Sequence, residues 1–395
     1  MQHCKKADRP SLWRVLALGF TISTKAQAED LVRGATFFGT GGGGSPEEGL
    51  KSLYSEIDAG RDIKVIDVHQ VKDDDWTACP YLMGSIAPLT QEKMVEMRFY
   101  GLSKSKYTDR KTLLGDAFRE LSHYVGKEIT VVVPIGLGGV NTPAPLAMAS
   151  SLGISSADGD YTGRALPEIA QTTPFLNGKK VWPIASVDEY GNTSLIKETI
   201  NPLMAERIGK LISVASYGLV GQCGFLMKGS DLKKVVIKNT ITECREIGQV
   251  IREARENGKR PLEEVAKSTR GWILFKGIVV KKEDQDRDGY YWGTHTVEGL
   301  EEYRGHSFKI WFKNENHMSW LDEKPYVMSP DLIEVISLET GEPITNNRLS
   351  LGTQVGVVGM KAREVFRSDK GLEILGPKHF GFQYPYKPIE ELAMK

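Results

Sequence analysis

Apolar positions recur along this chain with two different periods. Between residues 24 and 256 they return every three to four residues in several stretches, the spacing of helices with one buried face. These stretches are residues 24–38, 110–125, 143–152, 167–175, 202–213 and 240–256. In the last, Ile241, Ile247, Val250 and Ile251 point toward a core with charges opposite. Short strand-like runs separate them at 63–68, 81–83, 129–134, 154–157 and 181–185. Residues 129–134 are an unbroken β-branched run closed by Pro134, the pattern of a strand covered on both faces.

That run leads through a glycine turn (Gly136, Gly138, Gly139) into the helical stretch, which stops at Gly153 before the next run. The order predicts a βαβ unit with parallel strands. Its strand-end loops, 136–141 and 158–168, lie at the edge where open α/β sheets bind ligands. From Trp272 the texture changes: β-branched segments at 273–280, 308–312, 332–337 and 354–358 alternate with Gly, Pro, Asn and Asp turns. The fold class predicted is an α/β N-terminal domain with a largely parallel sheet plus a β-rich C-terminal domain. The expected division is an extension at 1–23, a first domain at 24–270 and a second at 271–395.

Length supports two domains, since 395 residues exceed what one core usually organises. Lys plus Arg and Asp plus Glu number 51 each, so charge favours neither nucleic acid nor a membrane surface as partner. Cys4, Cys79, Cys223 and Cys244 form no CxxC pair, which argues against a structural zinc site or a disulfide framework. Cys223, between Gln222 and Gly224, reads as a small buried residue or a reactive thiol. Lys5, Lys6, Arg9 and the apolar patch 15–20 superficially resemble a secretory signal. The patch is short and flanked by Arg14, and cutting after Ala28 would remove the start of a helix, so a cytoplasmic protein is expected. No run approaches the ~18 apolar residues that span a bilayer.

Candidate chemistry concentrates in two places. Gly41, Gly42, Gly43 and Gly44 precede Ser45-Pro46-Glu47-Glu48, which carries a helix start: a Ser cap, Pro at the first position and Glu at the third. Free amides there suit an anion or a planar ligand, although a linker reading is also open. Rossmann spacing and the P-loop Lys-Ser/Thr are both missing, so no nucleotide is expected. The second place is residues 158–168, where Asp158, Asp160, Arg164 and Glu168 fall within eleven positions. Asp158 and Asp160, two apart, would share a face of an extended backbone. They could hold a divalent metal (Zn or Mn), or divide the roles of general base and ligand anchor. Arg164 could hold a substrate carboxylate or carbonyl, orienting an acidic substituent, or neutralise the acids, and Glu168 could complement a helix dipole. An ordinary acidic turn is the alternative. Asn314-Glu315-Asn316 offers polar groups between apolar strands, facing a domain cleft or capping turns. The seven histidines do not cluster.

Taken in order, TGGGG, PIGLGGxN, ADGDxxGRAxPE and QTTPF, then FKG, FKNEN, PDLI and GPKxFG, make the chain similar to the S-methyl-thiohydantoin desulfurase-like family. The likeness runs from about Thr24 to Leu392. It implies two domains and removal of sulfur from a thiohydantoin ring to give a hydantoin, in the company of hydantoinase and oxoprolinase systems. It further implies a heterocyclic small-molecule substrate, with Thr40, the Gly41–Gly44 loop, Asn141, Thr172, Thr173 and Glu315 as ligand contacts and Asp158, Asp160, Arg164 and Glu168 as catalytic candidates. A homo-oligomer is expected. Leu137 stands where members are expected to carry an acid, so a hydantoin-binding protein without turnover, or a subunit of a larger amidohydrolase assembly, is the alternative.

Overall fold

The computed structural model describes residues 19–393. Cys4 and most of the signal-like segment lie outside them.

Eight strands build the first sheet, in the order Phe20–Ile22, Ile63–Ile66, Ser155–Ala157, Ile129–Val132, Trp76–Met83, Val220–Lys228, Ile184–Asp188, Thr193–Ile196. Its centre is parallel: Ile129–Val132 lies between Trp76–Met83 and Ser155–Ala157, and Ser155–Ala157 pairs with Ile63–Ile66. The β-branched run and the next strand flank helix Pro143–Ser151 as the predicted βαβ unit. Antiparallel strands complete both sides.

Local rules explain most helix starts. Thr24 and Gln27 form a reciprocal capping box at Lys25–Phe37, and Ser45 with Pro46 opens Pro46–Asp58. Asn201 caps Pro202–Ala215, and Asp109 caps Arg110–Val125, which ends on Gly126 in the left-handed region. Helices Lys25–Phe37 and Thr240–Glu256 pack together over a core that includes Leu31, Val32, Ile241 and Ile247.

The second sheet is antiparallel throughout, in the order Lys324–Met328, Glu315–Leu321, Ser307–Lys313, Tyr290–Gly299, Trp272–Arg287, Gln354–Met360, Leu332–Ser337. Irregularities between Val279 and Lys281 and between Trp311 and Phe312 are the kind that bend a sheet. The α/β domain followed by a β-rich domain is therefore present as expected. The first sheet draws on residues as late as Lys228, and the second begins at Trp272.

Two local expectations differ. Only Thr173–Leu176 is helical in the stretch 167–175. The amide of Ile169 donates to Glu206 and that of Glu168 to the Gln171 side chain, so tertiary and side-chain partners replace a helical ladder. Strand 181–185 sits three residues later, at Ile184–Asp188, after Pro183. Among the described residues no helix is long and apolar enough to cross a membrane.

Candidate functional site

Four loops converge at the junction of the two sheets. The carbonyl of Gly43 accepts from the amides of Val140 at 3.0 Å and Asn141 at 3.3 Å, tying the glycine run to the strand-end loop. Leu137 N–H donates to the Arg164 carbonyl at 2.9 Å, joining the two strand-end loops. From the second domain, Asn316 N–H donates to the Thr40 carbonyl at 2.6 Å and Asn346 N–H to the Gly41 carbonyl at 2.8 Å. The glycine run is therefore a packed junction, which removes the linker reading. Its composition follows from contact: a Cβ on Gly42 would lie 2.1 Å from Glu315 Oε1.

These loops surround a cavity of about 60 Å³ walled by Gly43, Leu137, Asn141, Lys210, Asn314 and Glu315, among others. Glu315 is 2% exposed. Its Oε1 accepts from Gly43 N–H at 3.3 Å, and Oε2 has no protein partner. Burial pushes the Glu315 carboxyl up to about 8, although Arg164 and Lys210 favour its charged form. Lys210, also buried, is moved the other way: desolvation lowers its ammonium, opposed by Glu206 and Glu315. A carboxyl raised by burial and an amine lowered by it thus line one cavity, the kind of perturbed pair that marks a site for proton transfer. Asn141 is held by the Leu82 backbone, accepting from its N–H at 2.8 Å and donating to its carbonyl at 3.3 Å.

Behind Lys210 lies a second polar layer. Glu206 accepts from Ile169 N–H at 2.7 Å and Tyr290 O–H at 2.8 Å, with Lys210 Nζ 3.8 Å away. The Tyr290 ring sits between two ammonium groups, Lys210 and Lys313, each 4.1 Å from its centroid. Lys313 pairs with Glu168, which His379 Nε2 also approaches at 2.9 Å. Burial alone would raise Glu168, but His379 and Lys313 outweigh it and hold the carboxyl down at about 2.

The acidic motif itself is distributed differently from its expectation. Asp158 and Asp160 do not converge on one point. Asp158 turns to helix Thr240–Glu256 and caps it, accepting from the amides of Ile241 at 3.1 Å and Thr242 at 3.0 Å and from the Thr242 hydroxyl. Burial raises it, and those bonds oppose the rise. Asp160 is fully buried and locks its own turn, one oxygen accepting from Thr162 N–H at 2.8 Å and Gly163 N–H at 2.7 Å. Burial lifts it to about 6. Backbone amides of separate elements hold the two carboxylates, Asp160 through Oδ2 alone with its Oδ1 buried and unpartnered, so the pair does not meet around one point as the expected metal site requires. Among the described residues no group of three His, Cys, Asp or Glu is placed to hold a metal ion.

Arg164 is 1% exposed and clamps the junction from within. It donates to Ala165 and Pro330 carbonyls, the Ser329 hydroxyl, Thr40 Oγ1 and the Asn316 carbonyl at 2.9–3.1 Å. Those contacts leave it as a joint between domains in place of the substrate anchor expected. Thr40 serves the same clamp, and Gly41 packs on Asn346. Thr172 and Thr173 lie off the cavity wall: Thr172 donates to the Ile169 carbonyl, and Thr173 begins a short helix. The cavity thus gathers Gly43, Gly44, Asn141 and Glu315 from the expected set. Sequence reasoning missed Lys210. Its signal was available: Glu206, Gly209, Lys210 and Ser213 form a polar buried stripe on an otherwise ordinary helix.

Comparison with known proteins matches the S-Me-THD-like N-terminal domain over residues 26–198 and the S-Me-THD-like C-terminal domain over residues 200–389. No curated protein matches the chain. The crystal structure of a protein from Chromobacterium violaceum superimposes with a TM-score of 0.75 at 18% identity, covering 94% of this chain and 100% of that one. At that identity the likeness is one of fold.

Proposed function

The chain belongs to the S-Me-THD-like family, and we propose that it is a hydrolase that removes sulfur from an S-methyl thiohydantoin or a related cyclic amide, at the Glu315–Lys210 cavity. The observation that carries this reading is the free Oε2 of Glu315, buried, unpartnered and on the same wall as a buried lysine.

The chemistry follows from those two groups. Water adds to the ring carbon bearing sulfur while the Glu315 carboxylate takes its proton, giving a tetrahedral carbon. The C–S bond then breaks, and the Lys210 ammonium protonates the departing methanethiolate. Glu315 returns its proton to Lys210, so water and substrate become hydantoin and methanethiol with no net change in the protein. Asn141, fixed by Leu82, and the Gly44 backbone offer polar contacts to the ring.

Purified protein incubated with S-methyl thiohydantoins, with and without Zn²⁺ or Mn²⁺, should release methanethiol. Release from none of them, with hydantoins also unbound by calorimetry, would sink the proposal. Leu137, fully buried in the cavity wall, favours a second reading in which the ring is bound without turnover. Calorimetric binding of a hydantoin with no thiol released from its S-methyl analogue would select that reading.

A further inference from the structure

The cavity is the floor of a larger opening. Gly44, Ile86 and Leu219 line both the cavity and an adjoining cleft of about 670 Å³. Residues 85–96 and the end of helix Pro202–Ala215 form one side of the cleft. Across it stand Asp286, Asp288, Gly289, Thr345 and Asn347, on or beside the second sheet. Gly289 closes down on the floor: a Cβ there would lie 2.8 Å from Lys210 Cδ and 3.1 Å from Val214 Cγ2.

Size separates what each chamber can take. At roughly 15 Å³ per water-sized group, the inner cavity admits on the order of four such groups. The reacting edge of a five-membered ring fills it, and whatever the ring carries must extend into the cleft. Part of the cleft wall is apolar, with Ile86, Leu89, Val214 and Leu219 beside the rings of Tyr190 and Tyr217. Leu89 and Val214 are 46% and 45% exposed. Large apolar side chains left open inside a concavity mark ligand contact, and here the concavity ends on the free, buried Glu315 oxygen.

Charge narrows the ligand further. The cleft presents four carboxylates (Glu96, Glu189, Asp286, Asp288) against two cations (Lys93, Arg110). Both cations are taken: Lys93 by Asp286 across the cleft, Arg110 by Glu189 and, at 2.5 Å, by Glu48. A carboxylate entering the cleft would find no unpaired cation and would meet Glu96, since Asp288 is paired with Arg287 at 3.5 Å.

We propose that this cleft is a substituent subsite, selecting rings that carry a bulky apolar, non-anionic group. The inference rests on the ring-binding reading of the inner cavity and deepens it. Calorimetry with four probes tests it: hydantoin, 5-benzylhydantoin, hydantoin-5-acetic acid and the methyl ester of that acid. The expected result is 5-benzylhydantoin at least tenfold tighter than hydantoin, and the acid at least tenfold weaker than its ester. Val214→Asp, and separately Leu89→Asp, should each weaken 5-benzylhydantoin about tenfold with the far-UV circular dichroism unchanged. Hydantoin bound as tightly as its benzyl derivative, or acid bound as tightly as ester, would overturn the subsite while leaving the ring-binding reading intact. If no probe binds, both fall together.

Discussion

The amide of Gly43 donates to the Glu315 carboxylate at 3.3 Å, across 272 residues of chain. One side of the catalytic candidate is thereby fixed by the first domain while its backbone belongs to the second, and its other oxygen stays free. Glu315→Gln keeps the shape and removes the base. Turnover of an S-methyl thiohydantoin should fall about 10²–10⁴-fold, with hydantoin binding retained. Retained turnover in this variant would move the base elsewhere.

Glu315 also has a signature in stability. Its folded-state carboxyl, near 8, lies above the ordinary value of 4.5, so the folded chain holds a proton that the unfolded chain has released. That contribution is fully present below pH 4.5 and is lost as pH rises through about 8. Denaturant titrations of wild type and Glu315→Gln should therefore diverge between pH 5 and pH 8. The wild type should lose more stability there than the variant, the difference being on the order of a few kcal/mol. Parallel curves would contradict the shift.

Glu168 predicts the opposite limb. Held near 2 by His379 and Lys313, it stabilises the fold above its ordinary pKa, and that contribution disappears as pH falls toward 2. Glu168→Gln should lower the midpoint at pH 7 and narrow its gap to wild type under acid conditions, as read by thermal melts at both pH values.

Gly42→Ala is expected to be costly for a geometric reason. The added methyl would meet Glu315 Oε1 at 2.1 Å, so the carboxylate or the loop must move. A loss of roughly 1–3 kcal/mol should accompany loss of turnover, and a crystal structure of the variant should show Glu315 displaced.

Asp158 separates capping from catalysis. Asp158→Ala removes the acceptor for the first amides of helix Thr240–Glu256 and should cost about 1–2 kcal/mol. Asp158→Ser, which can still cap, should recover most of it, measured by urea denaturation. If the two variants were equally stable but equally inactive, a direct chemical role for Asp158 would return.

How much of this was readable from the chain depends on where each residue's partners lie. The βαβ unit and the Ser45 cap follow from neighbours within a few residues, and both stand as expected. Strand Val220–Lys228 was not legible, because Gly221 and Gly224 resemble turn residues. They are small for contact instead: a Cβ on Gly221 would lie 3.0 Å from Leu113 Cγ, and one on Gly224 2.7 Å from the Val181 carbonyl. The acidic motif misled for a related reason. Its local spacing placed two carboxylates side by side, whereas amides more than eighty residues onward claim Asp158. Lys210 carried a visible i,i+4 partner in Glu206, but the cavity it faces is closed by residues a hundred positions later.

The central claim is that Glu315 drives hydrolysis in the cavity it shares with Lys210. The most direct measurement is the pH dependence of methanethiol release from an S-methyl thiohydantoin, compared between wild type and Glu315→Gln. The expected result is a wild-type rate that climbs as pH rises through about 8 and a variant rate that is low and flat. A pH profile with the same rise in both proteins would contradict it.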